Sequence, residues 1–355
     1  MFRLFFGVLL SVSFAALSLA DQPVVSNVEF VVGDLLKAEG GSATPSSFPF
    51  NRPFGIDFDS AGKMYVVELE GGRIFRLGQD RTPVQISGDG SKSYKGDGGE
   101  IAKATYNGMH NLAIDSKDRA YIADSFNHCL REIDLKTGTI RTLAGNGKAG
   151  FAGDGKGAED AQFDYLMCVS LNPAGDALFI ADLKNSRIRK IDLKTGLTST
   201  VAGNGKRGVP EDGAKATESP LVDPRAVAVD SKDNIYILER GGHALRKVDS
   251  QGRIQTVAGT GEKGFKDGAA LESQLASPKH ICIDAEDRVI IADDANAAIR
   301  CYDPETKTVS TLLGRGFGKK ELKLNQPHGV TMQDGTLYVC DTSNNRIFKV
   351  SFAAE

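Results

Sequence analysis

An internal repeat limits this chain more than any other feature. The glycine-rich phrase AGNGKAGFAGDG at 144–155 returns as AGNGKRGVPEDG at 202–213 and AGTGEKGFKDG at 258–268, with a looser copy, GDGSKSYKGDGG, at 88–99. Six copies of one further pattern, starting at 52, 108, 165, 223, 277 and 326, fall around these phrases. The equivalent positions 54, 110, 167, 225, 279 and 328 lie 49 to 58 residues apart. Each copy holds three short apolar runs separated by Asp, Gly and Asn; in the second copy they are NLAID, AYIAD and LREID. A fourth run, IRTLAG, leads into the glycine phrase. Short strands with turn residues between them, repeated four to a unit at this period, predict an all-β fold, a six-bladed β-propeller.

The two ends of the chain fit a closed ring. The sixth copy stops after its third run, RIFKVSF, and VVSNVEFVVGD at 24–34 has the pattern of the missing fourth. The N-terminal strand is therefore expected to complete the last blade and remove its open edge. The glycine phrases then carry the chain from the outer rim of one blade to the innermost strand of the next, through turns that need positive φ. The Ala-rich pieces that follow, KGAEDAQF and AALESQL, predict one helical turn packed on each crossing. Asp97, Asp154, Asp212 and Asp267 in these phrases are candidate calcium ligands, but single Asp-Gly turns lack the dense oxygen set that calcium takes.

Hydrophobic residues make up 41% and charged residues 25% of 355, which suits a folded core, and the repeat favours one domain over the two that length alone suggests. Residues 1–20, MFRLFFGVLLSVSFAALSLA, have one basic residue, an apolar run and small residues before Asp21, the pattern of a signal peptide; residues 21–355 form the propeller. The product is expected to be exported, periplasmic or secreted, monomeric and not inserted in a membrane. A net charge of -3 with no basic run gives no basis for binding nucleic acid. Five cysteines, Cys129, Cys168, Cys282, Cys301 and Cys340, are too scattered for a disulfide scaffold and read mainly as buried thiols, with one bridge left open. Cys282 takes the slot of Ala113 and Ala228, and Cys340 that of Ala123 and Ala181.

The unit DPRAVAVDSKDNIYILERGGHALRKVDSQG, with YIADSFNHCLREID and CDTSNNRIFKV, resembles the NHL repeat. The long glycine connectors are similar to those of exported bacterial NHL proteins. The resemblance covers residues 24 to 352 and implies a six-bladed propeller, a fold that serves both as binding scaffold and as enzyme. WD40 and kelch repeats use Trp, which this chain lacks.

Candidate site residues lie just before each innermost strand, at the channel mouth: Phe54, His110, Met167, Arg225, Lys279 and His328. Four are basic or carry imidazole on a chain that is acidic overall. Strict strand alternation would bury them between blades; a change of direction at strand entry would turn them inward. His110, Arg225, Lys279 and His328 are read as contacts for a protein or a small anionic ligand, because fixed cationic donors favour anions. QPHGVTM and GMHNLAI also resemble the strand-start motifs of peptidyl-hydroxyglycine amidating lyase, which would imply zinc on His110 and His328. Arg225 stands where a third His is wanted. His280, one position off, is expected to face the other side. The alternative function is a metal-dependent lyase, or a lactonase-like hydrolase with calcium in the channel. No nucleophile elbow is present.

A second ring, Glu68, Asp124, Asp182, Glu239, Asp293 and Asp341, ends the second strands; its uniformity points to structure, each acid capping N–H groups of its own turn, with Asn127, Asn185, Asn296 and Asn344 sharing that role. A carbohydrate would have only Tyr94, Tyr106, Tyr165 or Phe126 as stacking platforms.

Overall fold

The structure is a computed structural model and describes residues 23–33, 48–320 and 322–353. The expected leader at 1–20 lies outside these residues. Strands account for the regular structure, and the helical segments among the described residues are single 3-10 turns. Six sheets hold them. The innermost strands are Pro53–Phe58, Met109–Ile114, Leu166–Leu171, Pro224–Val229, His280–Ile283 and Pro327–Gln333. Each contacts the next, and the last contacts the first, so the ring is shut. The four main strands of each sheet step outward in chain order, except that the sixth takes its outer strand from the N-terminal segment. Val25–Gly33 pairs antiparallel with Arg346–Phe352. The N-terminal closure read from the sequence is therefore present.

The apolar core is divided among the clefts between neighbouring blades. One cluster, for example, joins Val31, Ile56, Val66 and Phe75 to Cys340 and Ile347 across the closing seam. This is what period-two strands stacked face to face must produce, since each sheet buries both faces. Cys340 fills such a cleft, and all five thiols are free, four of them buried and Cys282 half-buried.

The glycine phrases make the crossings. In the first of them Gly145 has φ +90°, and a Cβ there would sit 2.6 Å from the carbonyl oxygen of His128. Gly33 holds the same place after the N-terminal strand, where a Cβ would overlap the Asn345 carbonyl. The shared restriction marks Val25–Gly33 as a true fourth strand. The expected helical turns are Ile101–Lys103, Ala158–Asp160, Ala216–Glu218 and Ala270–Glu272. In the fifth blade the connector adds a two-residue strand, Gly268–Ala269, to the outer edge.

The six acids at the second-strand ends are all fully buried. Their main partner corrects the expectation. Each accepts an N–H from the loop entering the same blade about 17 residues earlier: Asn51 for Glu68, Asn107 for Asp124, Asp164 for Asp182, Val222 for Glu239, Ala276 for Asp293 and Asn325 for Asp341. Bonding within the turn is secondary and comes from the four Asn side chains, at 2.8 Å each. An arginine from the third strand closes each knot, as in Arg73–Glu68 and Arg246–Glu239, both 2.7 Å. Asp97, Asp154 and Asp267 pair with Arg131, Arg189 and Arg300 of the same knots, and Asp212 caps the Thr256 N–H, so these carboxylates hold the connectors down.

Replacing Gly145 by Val should destabilise the fold by about 2–4 kcal/mol through a strained φ and a backbone clash, read as a lower urea midpoint. Deleting residues 21–34 should expose the edge of Arg346–Phe352 and give a product that aggregates or is rapidly cleaved by protease; a monodisperse, protease-resistant product would contradict the role assigned to the seam.

Candidate functional site

The channel-mouth residues are freed from the blade clefts by β-bulges. The ladder slips register between Pro53 and Gly55, Met109 and Leu112, Leu166 and Cys168, Pro224 and Ala226, and Pro327 and Val330. Phe54, His110, Met167, Arg225 and His328 sit inside those slips. A bulge re-aims the extra side chain, and here it sends the chain's polar entry residues toward the axis. Lys279 lies just ahead of its strand, its N–H donating to the Ala292 carbonyl at 2.9 Å.

Three of the candidate residues meet as a plug. The Arg225 guanidinium crosses from blade four, with Nη1 donating to the Met167 carbonyl at 3.0 Å and Nη2 to His328 Nε2 at 2.8 Å. His328 Nδ1 donates to the Phe54 carbonyl at 3.3 Å, and its ring stacks on Phe54 with centroids 3.4 Å apart. His110 packs edge-on against the other side of Phe54 at 5.1 Å and donates from Nδ1 to the Gly108 carbonyl at 2.8 Å. Arg225 is 2% exposed and its Nε, although buried, has no hydrogen-bond partner.

Among the described residues no carboxylate forms an ion pair with Arg225; Asp294 acts on it only at longer range. A buried charge without a counter-ion is costly, and the surroundings register it. Burial, followed by the field of Arg225, holds the imidazoles of His110 and His328 well below their usual range and brings His280 down to about 4. Lys279, half-buried, is brought down to about 8 by burial and then by Arg225, with Arg240 and Arg52 adding to it. Burial raises Asp294 while Lys279, Arg225 and Arg52 pull it down.

The mouth thus gathers Arg52, Arg225 and Lys279 around Asp294, while Arg240, which pairs with Asp223 at 3.6 Å, adds its field to Arg225 and Lys279. Arg52, Arg240 and Asp294 were not candidates from the sequence. The signal lay in register: Arg240 and Asp294 directly follow the second-strand acid, the slot that Ser125 and Thr342 hold in blades two and six. Those two hydroxyls donate to the Leu166 and Pro53 carbonyls at the start of the next blade. The slot therefore borders the channel.

His280 corrects the expectation that it faces away. Its ring lies in the channel one layer below the plug, 6.4 Å from that of His328 and nearly parallel to it. Asn111 Nδ2 donates to its Nε2 at 2.6 Å, and Cys168 Sγ stands 3.8 Å from the same nitrogen. Asn111 reaches this layer because the blade-two bulge spans both His110 and Asn111.

The residues do not fit a zinc site. Both nitrogens of His328 are engaged, one of them by the guanidinium that occupies the third ligand position, and a cation there opposes a dication. Among the described residues no group of three or more His, Cys, Asp or Glu side chains is placed to hold a metal. Of the stacking candidates, Tyr106 is buried against Ser87, whereas Tyr94 and Phe126 are exposed.

A closed six-bladed propeller with a basic mouth over an imidazole-lined plug is the class that fold and site define. The NHL repeat family matches residues 324–350, and the Teneurin NHL domain matches residues 194–267. The chain is an NHL-repeat propeller. It is 30% identical over 286 residues to Protein SUPPRESSOR OF QUENCHING 1, chloroplastic, of Arabidopsis thaliana, covering 74% of this chain and 26% of that protein. Identity to NHL repeat-containing protein 2 of Gallus gallus is 25% over 352 residues, 88% of this chain and 48% of that one. The chain thus spans between about a quarter and a half of these curated relatives. The crystal structure of an auxiliary nutrient binding protein from Bacteroides ovatus superposes with a TM-score of 0.65 at 14% identity, over 94% of this chain and 78% of that one, a likeness of fold.

The neutral imidazoles give a pH signature. Unfolded histidine titrates near 6.5, so below that value the unfolded chain binds protons that the folded His280 refuses, and its contribution is lost as pH falls from 6.5 toward 4. Buried Asp57 and Asp182, each raised to about 7, act in the opposite sense, so the test is a difference: a His280→Gln variant should lose about 1.4 kcal/mol less stability per pH unit than wild type in that window, measured by urea unfolding.

Proposed function

We propose that the protein is an exported, monomeric binding scaffold that captures an anionic group, carboxylate or phosphate, at the mouth of its channel, whether a small molecule or a protein partner bears that group. One observation carries this reading: Arg225 is buried with no ion-pairing carboxylate among the described residues, in the field of Arg240 and beside Lys279. An incoming anion would supply the missing counter-charge. Lys279, the more accessible group, makes the direct contact, and Arg225 contributes field from below. His110 and His328 stay neutral; His328 fixes the guanidinium and His110 packs on Phe54, so they shape the floor of the site. The name of the Bacteroides ovatus structure, a nutrient binding protein, is consistent with a binding role. The alternative of a metal-dependent lyase or lactonase-like hydrolase finds no support in the donor set described above.

Citrate is a suitable probe. Calorimetry at pH 7 should show one saturable site, weakened about tenfold by Lys279→Ala, a change of about 1.4 kcal/mol, and abolished by Arg225→Gln. Affinity should fall as pH rises through about 8, where Lys279 loses its proton. Binding indifferent to both substitutions would place the site elsewhere.

A further inference from the structure

Below the plug the channel opens again toward the opposite face. The space there has a volume of about 280 Å³. Its inner end is formed by Asn111 and His280, its walls by the far halves of the innermost strands, and its rim by Asp57, Asn172 and Pro173, the last exposed. The walls are mainly aliphatic, with Ile56, Leu112, Val169, Val227, Ile281 and Val330 among them. No Lys or Arg lines it.

Three features select the ligand. Aliphatic walls around a channel of this size bind apolar matter better than water. The charges exclude anions: His280, brought down to about 4, is neutral at pH 7, while Asp57 at the rim is a carboxyl raised to about 7 by burial. The inner end is polar, because Asn111 and His280 line it, and a ligand hydroxyl can hydrogen-bond there.

We propose that this lower channel is a second binding site, separate from the anion site, for a neutral and mainly apolar small molecule of bicyclic size carrying one hydroxyl. The Arg225–His328 plug separates the two sites, so their ligands enter from opposite faces. The inference does not depend on anion binding at the mouth.

The probe is 6-bromo-2-naphthol, uncharged at pH 7. Calorimetry with the full chain should show one equivalent bound, and crystals soaked with it should place the anomalous bromine signal between Asn111 and the rim. Ala228→Phe, which fills the space, should weaken binding at least tenfold, and Asn111→Ala severalfold. The wild-type result alone is decisive should either variant misfold. No binding in solution, binding at crystal concentration only, or a bromine located at the loop-rich mouth overturns the proposal.

Discussion

The whole ring rests on one repeated knot: a buried carboxylate at the end of the second strand, an N–H from the loop that enters the same blade, and an arginine from the third strand. The knot ties three separate stretches of chain at a point sealed from water, where an unpaired acid would be costly. Its chemistry varies by a rule. Where the acid is Asp, as in blades two, three, five and six, an Asn three residues on fills the gap. Where it is Glu, as in blades one and four, the longer side chain takes that space and glycines stand opposite, since a Cβ at Gly71 or Gly242 would overlap the Glu68 or Glu239 carboxylate. The arginine also moves by two residues in blades one and six, which keeps it on the same face of the strand.

Because the knot is made six times over, it has little capacity to distinguish one blade from another, and individuality is left to the bulges at strand entry. A bulge costs a ladder bond but releases one side chain from the packing between blades. Six entry positions around an axis, five in bulges and Lys279 just ahead of its strand, can carry six different residues without disturbing the sheets. Here they carry a guanidinium, an ammonium, two imidazoles and two large apolar groups, and the guanidinium is the member whose charge is left unanswered. The strands supply rigidity and the entry residues supply chemistry, a division expected where a repetitive scaffold hosts a single site.

Much of this was legible in the sequence. The blade boundaries, the closing strand, the turns on the crossings and the structural role of the acidic ring follow from periodicity and turn chemistry, which are local. The entry slot stood out too, because its composition departs from that of the rest of the chain. What escaped depends on side chains converging from blades far apart in sequence. A one-residue slip decides whether His280 points away or into the channel, and no local pattern records it. Arg52, Arg240 and Asp294 look like ordinary turn residues until the ring brings them together. The lower cavity is the space left when six strands stand around an axis, and its polar end comes from Asn111 and His280 on two different blades. The acid ring's partner was misplaced for the same reason: the bond spans about 17 residues, beyond the reach of a turn argument.

The seam between Val25–Gly33 and Arg346–Phe352 has a temporal side. One half leaves the ribosome more than three hundred residues before the other, so the first half waits without its mate while the five intervening blades are made. Blades one to five can each form from contiguous chain, but the sixth cannot be finished until Arg346–Phe352 has been made. Such a long-range pairing is slow to find, and a lone strand of this kind is prone to join the wrong sheet. Locking of the circle is thus the natural last event in folding of the ring, and its failure would leave a nearly finished propeller with one sticky end.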